Sequence, residues 1–257
     1  MSDWPLVALC ALLGVLAGSF AAVAIHRWPR KIGLLPGVSR CAQCGERVHV
    51  FWLLLGGRCR RCLEPTSWLV QLLVAVVWGL IAFVHGPVGE LPALLAVGWA
   101  VVVATVIDLE FRIIPNKLTY RLAPIVLGLL VAAAAFDDAW GDFRRAVVAG
   151  IALPLGMLLL SEAFRLVRGQ PGMGMGDVKL AASLGLVLGY IGGWEVVIAI
   201  YAAVIAAVVV ASVLIVAGRA GLATRLPFGP YLALGTLVAV LAGTPLTVAI
   251  RTWLGLA

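Results

Sequence analysis

The chain has 257 residues, of which 63% are apolar and only 12% are charged, and its mean hydropathy is +1.10. This composition excludes a soluble globular domain, because so few charged residues could not cover the surface that such a domain exposes to water. The net charge of +7 is interpreted first as membrane topology and only second as affinity for nucleic acid, and we expect no nucleic-acid partner.

Eight apolar segments have about the length that a helix needs to cross a hydrocarbon layer of ~30 Å. In chain order they cover roughly 6–25, 67–84, 91–109, 118–136, 145–167, 178–192, 195–217 and 229–250. The sixth is short and rich in glycine, so we expect it to tilt little, to thin the bilayer or to be shielded by neighbouring helices. The pattern predicts an all-α polytopic membrane protein with about eight transmembrane helices in the lipid bilayer.

The domain organisation follows from the long polar interval after the first span. We predict a first transmembrane helix at 1–25, a zinc-binding loop domain at 26–66 and a seven-helix membrane domain at 67–257. The first ten residues, "MSDWPLVALC", contain no positively charged segment and no evident cleavage site. We therefore expect the first span to be retained as an anchor.

The placement of lysine and arginine predicts the orientation of the chain. If the loop at 26–66 faces the cytoplasm, sixteen of the nineteen basic residues lie on that side, and only Arg144, Arg145 and Arg251 lie on the other. Because basic loops resist translocation across an energised membrane, this distribution favours eight spans with both termini outside.

Two Cys-x-x-Cys pairs lie in the large loop. Cys41 and Cys44 are separated by fourteen residues from Cys59 and Cys62. Four thiolates at this spacing are typical of a structural zinc site, in which the metal supplies folding energy that a small loop lacks. The alternative is disulfide or redox chemistry, which a reducing cytoplasm disfavours. The fifth cysteine, Cys10, lies within the first span and is interpreted as a small buried apolar residue.

Two aspartates lie at the same predicted depth in the membrane. Asp108 closes the third span in "VVVATVIDLEFRIIPNKLTY", and Asp177 begins the sixth in "PGMGMGDVKL". Ionisable residues at such positions are costly and usually mark function. Gly172, Gly174 and Gly176, at alternate positions, suit an extended segment that lets another backbone approach the carboxylate. We therefore expect the two aspartate side chains to meet.

Each aspartate also has a purely structural interpretation. Asp177 could cap the sixth helix, where negative charge is favourable. Asp108 could pair with Arg112 one turn later. A divalent metal is a further alternative for the two aspartates, but such cations prefer several oxygen ligands, and the nearby supply is thin. Glu162 precedes Arg165 by three residues, so an ion pair at the membrane surface is its expected role.

Two carboxyl groups a few ångströms apart in a poorly hydrated site cannot both ionise readily, and they therefore share one proton. The ionised group can take a proton from a water molecule that attacks a peptide carbonyl. The protonated group then hydrogen-bonds the carbonyl oxygen and later donates to the leaving amine. The three histidines, His26, His49 and His85, lie in the loop or on the outer side, so a Ser-His-Asp triad finds no support. The pattern favours an aspartic protease.

Several motifs, in their order along the chain, resemble the bacterial type IV prepilin peptidases, which are leader peptidases and N-methyltransferases of the GxGD aspartic protease class. The resemblance rests on "GSFAAVAIHRWP", the two Cys-x-x-Cys pairs, "DLEFRIIPNKLT", "GMGDVKLAASLG" and "PFGPYLALG", and it spans nearly the whole chain. It implies that Asp108 and Asp177 are the catalytic pair. It also implies that Gly174, Gly176 and Lys179 position the substrate, or that Lys179 tunes Asp177.

The resemblance further implies the reaction and the place where it occurs. The substrates would be prepilins and pseudopilins of type IV pili and type II secretion, whose basic leader stays in the cytoplasm while an apolar helix enters the bacterial inner membrane. Cleavage at that boundary would be followed by methylation of the new N-terminus with S-adenosylmethionine. The chain departs from the family at Ala22, Ala42 and Gln71, where asparagine, proline and glutamate are frequent, and the carboxylate missing at Gln71 bears on methyl transfer.

Two other classes of function remain open on the sequence alone. A membrane thiol oxidoreductase would use the cysteine pairs for redox chemistry, but the basic residues place that loop on the reducing side. A proton-coupled transporter would use Asp108 and Asp177 as carriers. It would also be expected to hold a carboxylate near the bilayer midplane and to show a two-fold repeat, and neither feature is evident.

Overall fold

The computed structural model describes residues 3–29, 39–40, 47–48, 68–169, 172–219 and 227–255. The helices in these ranges are α1 Trp4–Arg27, α2 Trp68–His85, α3 Leu91–Phe111, α4 Asn116–Asp137, α5 Trp140–Arg168, α6 Met175–Ile191, α7 Gly193–Val216 and α8 Gly229–Trp253. Seven of these eight helices are long and apolar enough to cross a membrane, and α6 is the exception. A helical membrane protein is therefore confirmed for the described part of the chain.

The described residues also include a short β-ribbon. Strand β1, Ser39–Arg40, pairs antiparallel with strand β2, Arg47–Val48, so that Ser39 faces Val48 and Arg40 faces Arg47. In sequence the two strands flank the first cysteine pair. All four predicted zinc ligands, Cys41, Cys44, Cys59 and Cys62, lie outside the described residues, and the zinc site stays a prediction.

Helices α1 and α2 pack closely through a Gly-x-x-x-Gly spacing in α1. A methyl group at Gly14 would lie 2.7 Å from the Cα atom of Ala75, and one at Gly18 would overlap the Cα atom of Gln71. Small residues at this spacing let two helix backbones approach within a membrane. Gln71 is 7% exposed, and its Nε2 donates a hydrogen bond of 2.6 Å to Oγ of Ser19. The amide at this position therefore joins α2 to α1.

The short helix α6 lies at the centre of the bundle. Its seventeen residues extend over about 26 Å at 1.5 Å per residue. Twelve of them are buried, and α6 contacts α3, α4, α5, α7 and α8. Of the three expectations for the sixth apolar segment, the contacts support shielding by neighbouring helices. A helix enclosed in this way does not need the length of a lipid-facing span.

Glycines also bring α5 and α6 into close contact. A methyl group at Gly185 would lie 2.5 Å from the carbonyl oxygen of Ala149, and one at Gly189 would lie 2.5 Å from the Cβ atom of the same alanine. From the other side, a methyl group at Gly150 would lie 2.8 Å from the side chain of Leu186. The two helices are therefore in backbone contact over more than one turn of α6.

Candidate active site

Asp108 lies in the last turn of α3, and its side chain is 5% exposed. The backbone N–H of Gly229, the first residue of α8, donates a hydrogen bond of 3.1 Å to its Oδ2 atom. The N–H groups at a helix start have no partners within the helix and carry partial positive charge, so this contact favours a negative charge on Asp108. A methyl group at Gly229 would lie 2.7 Å from the same oxygen. Glycine therefore allows the contact.

Asp177 lies in the first turn of α6 and is 7% exposed. Its backbone N–H donates a hydrogen bond of 3.1 Å to the carbonyl oxygen of Gly174, and the backbone of Gly174 in turn bonds its carboxyl group. Its Oδ1 atom is buried and has no hydrogen-bond partner among the described residues. Buried polar atoms are nearly always paired, so an unpaired carboxyl oxygen is a feature expected of a reacting group.

The two aspartates lie close enough for the charge of Asp108 to act on Asp177. Ile114, in the linker between α3 and α4, lies between their supporting backbones. Its Cβ atom would lie 2.8 Å from a methyl group at Gly176, and its Cδ1 atom would lie 3.3 Å from one at Gly229. Glycines at these two positions therefore let α6 and α8 close around a single isoleucine. The helix ends that carry the two aspartates form one site, which we call the aspartate end of the bundle.

The loop before Asp177 is tied to α5 by Ser161. This serine is 4% exposed. Its Oγ accepts a hydrogen bond of 3.2 Å from the N–H of Met173, and its carbonyl oxygen accepts one of 3.5 Å from the N–H of Gly172. Ser161 was not among the predicted site residues. Nothing in the spacing of the sequence indicates it, because its partners lie more than ten positions away in an irregular segment.

Lys179 lies beside α4. Its Nζ atom donates a hydrogen bond of 2.9 Å to Oδ1 of Asn116 and lies 4.8 Å from the centre of the Tyr120 ring. Two positions along a helix correspond to a rotation of about 200° around its axis, so Lys179 and Asp177 lie on opposite faces of α6. These contacts join the start of α6 to the start of α4. The predicted role of Lys179 in substrate positioning stays a prediction.

The ion pair considered for Asp108 and Arg112 is not formed. Arg112 ends α3 in the left-handed conformation with φ of 55° and is exposed. Its backbone N–H, and not its guanidinium group, contacts Asp108, by a hydrogen bond of 2.9 Å to the carbonyl oxygen. The expected pair of Glu162 and Arg165 is confirmed, with 2.6 Å between Oε2 and a guanidinium nitrogen.

Two further expectations concern cysteine and metal ligands. Cys10 is buried within α1 at 4% exposed, as expected for a small apolar residue. In the part of the chain that the structure describes, no third histidine, cysteine or acidic side chain joins the two aspartates in a group that could hold a metal ion.

Comparison with known proteins gives two family matches. Residues 94–217, which include both aspartates, match the family described as type IV leader peptidase. Residues 12–85, which include both Cys-x-x-Cys pairs, match the bacterial peptidase A24 N-terminal domain.

Curated relatives match almost the whole chain. A prepilin leader peptidase/N-methyltransferase of Stutzerimonas stutzeri is 33% identical over 93% of this chain and 92% of that protein. Proteins of the same name from Pseudomonas putida and Pseudomonas aeruginosa are each 30% identical, over 92% and 96% of this chain. They are covered over 91% and 93% of their own length. No solved structure matches the chain.

Proposed function

The chain belongs to the type IV leader peptidase family, and we propose that it removes the basic leader from prepilins and pseudopilins and then methylates the new N-terminus. The observation that carries the peptidase assignment is the pairing of Asp108 with Asp177. Two buried carboxyl groups from different helices lie within electrostatic range, and one of their oxygens, Oδ1 of Asp177, is buried and has no partner among the described residues.

The hydrogen bonds support different roles for the two aspartates. Oδ2 of Asp108 accepts an N–H from the start of α8, which favours the ionised form. The carboxyl group of Asp177 also accepts a backbone hydrogen bond, from Gly174, but its Oδ1 has no donor among the described residues. Because the charge of Asp108 lies within range, ionisation of Asp177 as well would leave two buried charges poorly compensated. We assign Asp108 as the general base and Asp177 as the general acid of the first step.

The reaction follows from this assignment. Asp108 takes a proton from a water molecule, and the hydroxide that forms attacks the scissile carbonyl carbon. Asp177 hydrogen-bonds the carbonyl oxygen as negative charge develops on it and donates its proton to the oxygen. As the tetrahedral intermediate collapses, the proton now held by Asp108 moves to the leaving amine, and one of the two hydroxyl groups of the intermediate returns its proton to Asp177 as the carbonyl re-forms. General acid–base assistance of this kind contributes ~10²–10⁴-fold to the rate.

The distribution of charge supports a cytoplasmic location for the aspartate end. Exposed basic side chains gather there from two helices and a linker, and they are Arg112, Lys117, Arg121 and Arg165. At the other end, Arg145 forms an ion pair of 2.7 Å with Asp142, which lowers the net positive charge of that side. By the rule that basic loops stay inside, we place the aspartates at the cytoplasmic face of the inner membrane and both termini outside.

A cavity between α1, α2, α3 and α4 has residues that fit S-adenosylmethionine, the methyl donor that the family implies. Its volume of about 420 Å³ is within the range of small-molecule sites. We call it the aromatic cavity, after its rings, which belong to Phe20, Trp28, Trp78 and Trp99. Lys117 and Arg121 of α4 also line it.

Three parts of the donor have a counterpart in the aromatic cavity. Aromatic faces attract an adenine ring and a sulfonium cation, and cationic side chains bind a carboxylate. When bound, S-adenosylmethionine supplies an activated methyl group for an amine. Lys117 and Arg121 would hold the carboxylate, and Trp99 would provide an aromatic wall.

The experiment that tests the proposed function is incubation of the purified protein with a prepilin in detergent. Cleavage is followed on a gel, and the mass of the new N-terminus is measured with and without S-adenosylmethionine. We expect the leader to be lost in both conditions, with an added methyl group only when the donor is present. A prepilin that stays intact would contradict the proposal.

A further inference from the structure

An apolar groove runs along the outside of the bundle between α5, α7 and α8. Its volume is about 330 Å³, and no charged or polar side chain of the described residues lines it. Its α5 wall includes Ala152, Gly156 and Leu160, which follow one another at intervals of four residues and so lie on one face of that helix. We call this feature the lateral groove.

The lateral groove reaches the two segments that hold the aspartates. Met173 and Phe228 both line it. Met173 directly precedes Gly174, which bonds the carboxyl group of Asp177. Phe228 directly precedes Gly229, whose N–H bonds Asp108. A chain lying in the groove would therefore reach both carboxyl groups where it leaves the hydrocarbon region.

The helices on either side of the groove are the least buried of the helices that could cross a membrane. Among the seven helices that could cross a membrane, α5 and α7 have the smallest buried shares in their most apolar stretches, at 22% and 17%. The wall is also open at Gly156, where a methyl group would meet nothing within 4 Å. Small residues on a lipid-facing surface allow another helix to approach the backbone closely.

We propose that the lateral groove is the docking site for the apolar helix that follows the cleavage site in the substrate. The inference rests on the proposed function, because an enzyme that cuts at the membrane surface must hold a substrate whose next segment is still in the bilayer. From Ala152 to Leu160 the groove extends about 12 Å along α5, which corresponds to about two turns of a docked helix. The substrate enters sideways from the lipid, and docking brings the bond before its helix to the aspartates.

The chain offers a matched pair of variants for the test. Gly156 and Gly128 are both exposed helical glycines at which a methyl group would meet nothing within 4 Å, and Gly128 lies on α4, away from the groove. In Gly156→Leu the new side chain occupies the groove, whereas in Gly128→Leu it extends into lipid. We expect KM for a full-length prepilin to rise about tenfold in Gly156→Leu and to stay at the wild-type value in Gly128→Leu.

Photo-crosslinking adds a readout that does not depend on turnover. A benzoylphenylalanine at position 156 in an Asp108→Asn background should crosslink to the apolar helix of the prepilin, and one at position 128 should not. Equal KM values for the two leucine variants, or crosslinks from position 156 to lipid alone, would overturn the groove as the docking site. Failure of the wild-type protein to cleave the prepilin would instead overturn the proposed function.

Discussion

The N–H of Gly229 and Oδ2 of Asp108 are joined by a hydrogen bond of 3.1 Å, although 121 positions separate them in the chain. This bond fixes the start of α8 on the end of α3 and directs the positive end of one helix at a carboxyl group of the other. The geometry of the site therefore depends on α8 as well as on the two helices that carry the aspartates.

Replacement of either aspartate by asparagine should stop cleavage. In Asp108→Asn the water molecule loses its base, and in Asp177→Asn the carbonyl oxygen loses its acid. We expect the rate of leader removal to fall by at least ~10²–10⁴-fold in each variant, measured on a gel with purified protein. Asp142→Asn is the matched control, because it makes the same chemical change in a surface ion pair at the opposite end of the bundle. Cleavage retained in either site variant would contradict the catalytic pair.

A single methyl group at Gly229 should impair catalysis without removing any catalytic group. In Gly229→Ala the added carbon would lie 2.7 Å from Oδ2 of Asp108, which is closer than a van der Waals contact. We expect the carboxyl group to move and kcat to fall about 100-fold. Gly193→Ala, at the start of α7, is the control, because a methyl group there meets nothing within 4 Å. If both alanine variants turn over the prepilin at the same rate, the bond from Gly229 does not position Asp108.

Binding of the methyl donor should depend on the basic residues of the aromatic cavity. The double variant Lys117→Gln and Arg121→Gln removes both positive charges, and we expect the dissociation constant for labelled S-adenosylmethionine to rise about tenfold or more. Equilibrium dialysis measures this binding without any turnover. Arg144→Gln, at the far end of the bundle, should bind as the wild type does. Unchanged binding in the double variant would place the donor elsewhere.

The large loop should contain one zinc ion for each chain. Replacement of Cys41, Cys44, Cys59 or Cys62 by serine should lose the metal and expose the loop to protease, because the metal contributes the folding energy of so small a domain. Zinc content is measured on the purified protein by atomic emission. Cys10→Ala, in the buried face of α1, should keep its zinc and controls for the loss of a thiol. Zinc retained after loss of a loop cysteine would argue against a four-thiolate site.

The shared membrane depth of Asp108 and Asp177 could be predicted from the sequence because it depends on topology alone. One aspartate ends a span and the other begins a span, so an even number of crossings places both on the same side. The groups that hold them could not be predicted in this way. Gly229 and Ser161 act through contacts with residues distant in sequence, and an isolated glycine or serine in an apolar segment carries no signal of its role.

The two ion pairs expected from residue spacing show a second limit of prediction from the sequence. Arg112 has the spacing for an ion pair with Asp108, but the left-handed turn at this residue ends the helix and leaves the side chain exposed. A spacing of three or four residues predicts contact only while the helix continues. For Glu162 and Arg165 the helix does continue, and that prediction is correct.

The backbone contact between α5 and α6 has a mechanical consequence. Gly150, Gly185 and Gly189 leave no room for even one extra carbon between these helices, so neither helix can slide or rotate alone without a steric clash. The two helices therefore move as one unit. In this unit α6 carries Asp177 near one end, and α5 carries the small-residue wall of the lateral groove. A movement of this pair that displaces Asp177 therefore also displaces the α5 wall of the lateral groove.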